Sequence, residues 1–157
     1  MKIKAGAGPF LEEGEEVRAA ILARPRGWTM AEAAGYSGDD AAELVAGRLG
    51  RRKMERNVSA AAEAGFQLAN PMALAVTQGR LLSIAISVGI GWWGIGVKVK
   101  ELVSAVPLGL VDDIKVRRLA VGKTVTITIR GVQFTLEVPA GQNVRGVVAA
   151  LEGAKSV

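Results

Sequence analysis

Residues 72–151 decide the fold, and they divide into MALAVTQGRLLSIAIS (72–87), ELVSAVPL (101–108), DDIKVRRL (112–119), KTVTITI (123–129), VQFTLEV (132–138) and NVRGVVAALEG (143–153). In 123–129, Val125, Ile127 and Ile129 alternate with Thr124, Thr126 and Thr128, the period of a strand with one face in a core. Gly131 turns the chain, Phe134, Leu136 and Val138 repeat the alternation, and Pro139-Ala140-Gly141 ends it. Within 112–119, Ile114 and Val116 fall on one face and Lys115 and Arg117 on the other. Gln78-Gly79 reads as a hairpin turn between MALAVT and RLLSIAIS, with Gly79 expected to adopt a conformation other residues resist. Residues 102–107 read as a further short strand. The period changes in the last segment, where Val144, Val147, Val148 and Leu151 share one helical face suited to closing a sheet.

N-terminal to this stretch the signals differ. Residues 1–16 carry Gly6, Gly8, Pro9 and Gly14 among polar groups and read as a loose lead-in. The two lysines at the start precede no apolar run, so no secretory signal is expected and a cytoplasmic location is. Residues 17–23, VRAAILA, stopped by Arg24, Pro25, Arg26 and Gly27, suit a strand, with helix competing on propensity. Residues 26–71 then form a helical insertion of two pieces. One is AAELVAGRL, capped by Asp39 or Asp40; the other is RRKMERNVSAAAEAGFQLA, with Met54, Val58, Ala61, Ala62 and Phe66 at helical spacing. Its expected stop is Asn70-Pro71.

Composition narrows the chemistry. The 157 residues suffice for one domain with a buried core, and with 4% aromatics that core must be aliphatic. Neither Cys nor His occurs, which excludes disulfides, Cys nucleophiles, His bases and the usual zinc ligand sets. The residues point to no cofactor, no metal and no catalytic group. Asp112 and Asp113 are adjacent carboxylates, but neighbours on a strand face opposite ways. The net charge of +5 is unevenly placed: residues 1–71 hold ten basic and ten acidic groups, residues 72–157 ten basic and five acidic. A basic face on the strand-rich part would favour anionic partners. Arg48, Arg51, Arg52, Lys53 and Arg56 cluster in the insertion, yet no aromatic platform accompanies them and Glu43, Glu55 and Glu63 dilute the field, which argues against nucleic acid.

AVTQGRLLSI, VPLGLVDDIKV and the order strand, hairpin, strand, hairpin, helix resemble the bacterial pleckstrin-homology-like or GRAM-like domains. The resemblance covers residues 72–151, with GEEVRAAILARPRG supplying a first strand. It implies an α+β, mainly β architecture: a seven-stranded, strongly bent antiparallel barrel capped by one C-terminal helix, with the helical insertion between strands one and two. Gln78-Gly79 replaces the acidic-basic turn typical of that family. The long insertion occupies the loop with which lipid-binding members contact phosphoinositide, so that site does not transfer.

Residues 81–97, LLSIAISVGIGWWGIGV, carry no charge and admit three readings. A membrane span needs roughly 20 residues, and this run is shorter and crowded with glycine in its second half. Gly89, Gly91 and Gly94 spell G-x-G-x-x-G, but that fingerprint requires a helix next, and IGVKVKELV alternates like a strand. The third reading is a glycine-rich loop displaying Trp92 and Trp93 beside Lys98 and Lys100, against the alternative that the tryptophans pack in the core.

The expected function is accordingly a non-enzymatic binding or scaffolding module, acting on a protein partner or on a second copy through the insertion and the Trp92–Trp93 loop. The alternative is peripheral binding to anionic phospholipid at the inner face of a membrane, with Trp92 and Trp93 inserting and Lys98, Lys100, Lys115, Arg117 and Arg118 supplying charge.

Overall fold

The computed structural model describes residues 6–27, 41–91, 94–120 and 122–155. Its elements are β1 (Val17–Pro25), α1 (Ala41–Glu63), β2 (Met72–Thr77), β3 (Arg80–Gly91), β4 (Gly94–Pro107), β5 (Val111–Arg118), β6 (Lys123–Ile129), β7 (Val132–Val138) and α2 (Val144–Lys155). The seven strands form one antiparallel sheet in the order β4-β3-β2-β1-β7-β6-β5. β1 is the pivot. Its first part pairs with β2, from Val17 opposite Thr77 to Ala23 opposite Met72, and its last two residues pair with β7, Arg24 opposite Glu137 and Pro25 opposite Leu136. A proline cannot donate to a ladder, and Pro25 stands at the strand's last position, where little pairing is lost. β4 and β5 end the order and do not pair with each other, so the sheet is not closed into the expected barrel.

Two apolar clusters sit on the two faces of the β1–β4 half. The larger joins Ile21, Met72, Leu74 and Leu81 to Val125, Ile127, Phe134 and Leu136 from the β5–β7 half, with Val144, Val147 and Leu151 of α2 and Ala61, Ala64 and Phe66 at the end of α1. Phe66 and Phe134 stack at 5.8 Å between centroids. The smaller cluster holds Ala20, Ala73, Ala75, Leu82, Ile84 and Ile86, sheltered by Ala7 and Leu11. β2 is therefore buried along its whole length, with Met72, Leu74 and Val76 toward the larger cluster and Ala73 and Ala75 toward the smaller.

Three expectations are corrected. The segment 41–63 is one helix rather than two pieces, running through Gly47 and Gly50. Buried Gly50 lies where the helix crosses Gly27, and a Cβ on Gly27 would stand 2.2 Å from the Gly50 carbonyl oxygen. α1 also stops well before Asn70-Pro71. Phe66 N–H donates to Ala61 O and Gly65 N–H to Ala62 O, with Gly65 at φ +84°, a C-terminal motif that satisfies the last carbonyls and favours glycine. Residues 88–91 and 94–97, expected in a glycine-rich loop, are strand, because β3 and β4 stay paired as far as Gly91 opposite Gly94, and β4 begins eight residues before Leu102. Valines and isoleucines between the glycines suit an extended chain, and strand rather than helix follows the G-x-G-x-x-G run. No helix among the described residues is long and apolar enough to cross a membrane.

Candidate interaction surfaces

The β3–β4 hairpin outruns the rest of the sheet. β2 pairs with β3 only from Met72 opposite Ala85 to Val76 opposite Leu81. Beyond that, Ile86–Val99, Ser87–Lys98, Val88–Val97, Gly89–Gly96, Ile90–Ile95 and Gly91–Gly94 pair only with one another among the described strands. The base of this arm is tied to the body: Ile86 N–H donates to Pro71 O at 3.4 Å, Ile86 is buried in the smaller apolar cluster, and Val97 and Val99 pack against that cluster. The register sets the apolar positions 86, 88, 90, 95, 97 and 99 at one parity and Ser87, Lys98 and the four glycines at the other. An isolated two-stranded ribbon is marginal in water. Trp92 and Trp93 fall between the last pair in sequence and lie outside the described residues.

The remaining basic candidates separate into two groups. Lys98 and Lys100 are exposed on β4, with Lys98 opposite Ser87 and Lys100 the extra residue where the register shifts between Ala85 and Ile86. Lys115, Arg117 and Arg118 are exposed on β5, at the other end of the strand order. They belong to two edge strands, not to one ladder. On β5, Lys115 Nζ lies 3.8 Å from Asp113 Oδ2 with both side chains largely in solvent. Val116, expected on an inward face beside Ile114, is 42% exposed, and Leu119 is 37% exposed. Val111 at the start of β5 is buried in the large cluster and Ile114 packs against it, while Val116 does not reach it. Val116 and Arg118 instead line a groove of about 390 Å³ with Lys123 of β6 and Arg145, Val148 and Glu152 of α2. Asp112 and Asp113 do not act together: Asp112 Oδ2 accepts from Gly131 N–H at 2.8 Å. The turn before β7 needs this anchor where Arg130 (φ +52°) and Gly131 (φ +79°) both adopt left-handed conformations.

A polar clasp that sequence reading missed pins residues 10–16 to the β2–β3 turn. Arg80 donates from Nε to Glu15 Oε2 at 2.8 Å, from Nη2 to Glu15 Oε1, and from Nη2 to Phe10 O at 3.3 Å. Thr77 Oγ1 donates to Glu15 Oε2 at 2.9 Å, and Gln78 Nε2 to Gly14 O at 2.7 Å. Glu16 N–H donates to Gln78 Oε1 at 2.9 Å. The loose lead-in is thus corrected, since Glu15 is 7% exposed at its side chain and held from two sides. The Arg80 guanidinium, helped by the Glu12 N–H and the Thr77 hydroxyl and opposed by burial, lowers the Glu15 carboxyl from 4.5 to about 2. Gln78 and Thr77 also explain the turn without strained glycine, for Thr77 Oγ1 accepts from Gly79 N–H and Arg80 N–H, and Gly79 is not in the left-handed region. The only advance signal was the acidic run LEEGEE facing a lone arginine after a turn.

No protein-family model, curated protein or solved structure matches this chain. Its surfaces alone carry a functional reading. The α1 arginines are exposed, as expected of a solvated helix face, but the shallow concavity over Arg52, Arg56 and Ser59 also takes in Glu55 and Glu63 and is lined by that one helix. Among the described residues no group of His, Cys, Asp or Glu is placed to hold a metal ion.

Proposed function

We propose that this chain is a non-enzymatic, pleckstrin-homology-like binding or scaffolding module that works by contact with a protein, either a partner or a second copy. Two antiparallel meanders, β1–β4 and β5–β7, joined through β1 and β7 and followed by a packed helix, support the likeness. The observation that carries the functional reading is the β3–β4 arm, whose six outer pairs have no other strand partner among the described residues and set apolar positions at one parity. Such a ribbon gains stability when its apolar side is covered. A photo-crosslinking residue at Lys98, exposed on the arm, tests this in purified protein and in cell extract. A discrete adduct is expected; crosslinking no different from that of a probe at exposed Gln133 would overturn the reading.

A second reading rests on the exposed Lys98, Lys100, Lys115, Arg117 and Arg118, which suit an anionic phospholipid surface. Co-sedimentation with anionic but not neutral vesicles, weakening steeply with salt, would favour it. Sedimentation with neither removes it.

A further inference from the structure

We infer that β5 is a self-complementary edge through which two copies of the chain pair antiparallel about a two-fold axis at Lys115. This deepens the self-association reading and rests on it, but it uses a surface other than the arm. β5 hydrogen-bonds to β6 alone and ends the strand order, so its other side has no strand partner among the described residues. An unpaired edge is a template for another strand. Its sequence, Val111-Asp112-Asp113-Ile114-Lys115-Val116-Arg117-Arg118, has an acidic first half, a basic second half and apolar residues on both sides of its centre.

That order matches its own reverse. With Lys115 opposite Lys115 of the second copy, Asp113 falls opposite Arg117 and Arg117 opposite Asp113. Ile114 meets Val116 on both sides of the axis, Asp112 meets Arg118, and Val111 meets Leu119. Opposite charges and apolar residues directly across from each other stabilise antiparallel pairs, and a two-fold contact uses each pair twice. A slip of one position either way sets Ile114 against Lys115 or Arg117, so charge pattern and apolar pattern select the same register. The two Lys115 ammonium groups at the axis are like charges on long stems, and Asp113 already stands 3.8 Å from Lys115 within each strand.

The surroundings agree. Val116 and Leu119 are exposed large hydrophobics on or just beyond this strand, and the pairing would cover them. Val116 and Arg118 also line the groove shared with α2, so the side chains of this strand face open space on that side.

Sedimentation velocity of the full chain over a concentration series provides the test, with circular dichroism confirming that each variant folds. Wild type is expected to dimerise, and Asp113→Arg or Arg117→Asp alone, which sets like charges opposite twice, to raise the dissociation constant about tenfold or more. The double variant Asp113→Arg/Arg117→Asp restores opposite pairs and should dimerise as wild type does. An equimolar mixture of the two single variants should form heterodimers although neither dimerises alone. A wild-type chain that stays monomeric overturns the inference, as does a dimer that neither reversal weakens. In the latter case self-association itself stands, and loss of the dimer on replacing residues 87–98 with a two-residue turn would place it in the arm instead.

Discussion

Glu15 and Arg80, sixty-five positions apart in the chain, meet through both carboxylate oxygens at the centre of the contacts that fix the N-terminal segment to the β2–β3 turn. Charged hydrogen bonds of this kind, partly shielded from water, typically contribute about 1.5–3 kcal/mol each. Arg80→Ala is therefore expected to destabilise the chain by about 2–3 kcal/mol, because it also leaves Glu15 with an uncompensated charge. Urea denaturation checks this: a loss under about 0.5 kcal/mol would show that the clasp is a surface pair of little consequence.

The same contact sets a pH dependence. A carboxyl whose folded value is depressed to about 2 from 4.5 stabilises the folded state fully above the unperturbed value and loses that contribution as pH falls toward 2. Wild type and Glu15→Gln should accordingly differ most near neutrality, and the gap should shrink between about pH 4.5 and pH 2. Urea midpoints for both proteins across that range would reveal it, and a gap independent of pH would assign the effect to packing.

Asn57 holds α1 to the place where β1 runs out. Its Oδ1 accepts from Thr135 N–H at 2.7 Å and its Nδ2 donates to Lys53 O at 2.9 Å, so the side chain takes over a β7 amide that β1 no longer reaches. Asn57→Ala leaves that amide without its acceptor and should cost about 1–3 kcal/mol. Faster hydrogen exchange at Thr135, with Ile127 unchanged, is the specific signature.

Gly27 and Gly79 should respond in opposite ways to alanine. Gly27 has φ +106°, and a Cβ there would stand 2.2 Å from Gly50 O and 2.8 Å from Met54 N, so Gly27→Ala must displace α1 and should cost more than about 2 kcal/mol. Gly79 is outside the left-handed region and its Cβ would meet nothing within 4 Å, so Gly79→Ala should be neutral within about 0.5 kcal/mol. Thermal melts of the two variants side by side decide the matter.

Periodicity made the sheet legible because its inward positions are mostly apolar: Val125, Ile127, Ile129, Phe134, Leu136 and Val138 are buried as the alternation predicts, although Thr124, on the other parity, is buried too, and the closing helix announced itself through Val144, Val147 and Leu151. Long-range polar geometry was not legible. Nothing local in LEEGEE says that Glu15 turns inward to an arginine beyond the second strand, or that Asn57 completes a ladder. Glycine misled twice, because Gly50 lies inside a continuous helix and the glycines of 89–91 and 94–96 sit in paired strands. Lys98, Lys100, Lys115, Arg117 and Arg118 were legible as exposed cations. Their division between β4 and β5 depends on which strands end the sheet, which no single strand's pattern records.

The central claim is that the outer part of the β3–β4 arm, from Gly89–Gly96 to Gly91–Gly94, is a contact surface beyond the folded body, while Ile86, Val97 and Val99 anchor its base on the smaller cluster. Hydrogen exchange of the purified chain, followed by mass spectrometry at increasing protein concentration or with an added partner, tests it most directly. The account predicts that amides of residues 89–91 and 94–96 exchange much faster than those of β2 and residues 81–85 when the chain is dilute, and become protected once the outer arm is covered. Protection of 89–91 and 94–96 equal to that of β2 at high dilution would contradict it, for the outer arm would then already be packed against its own chain.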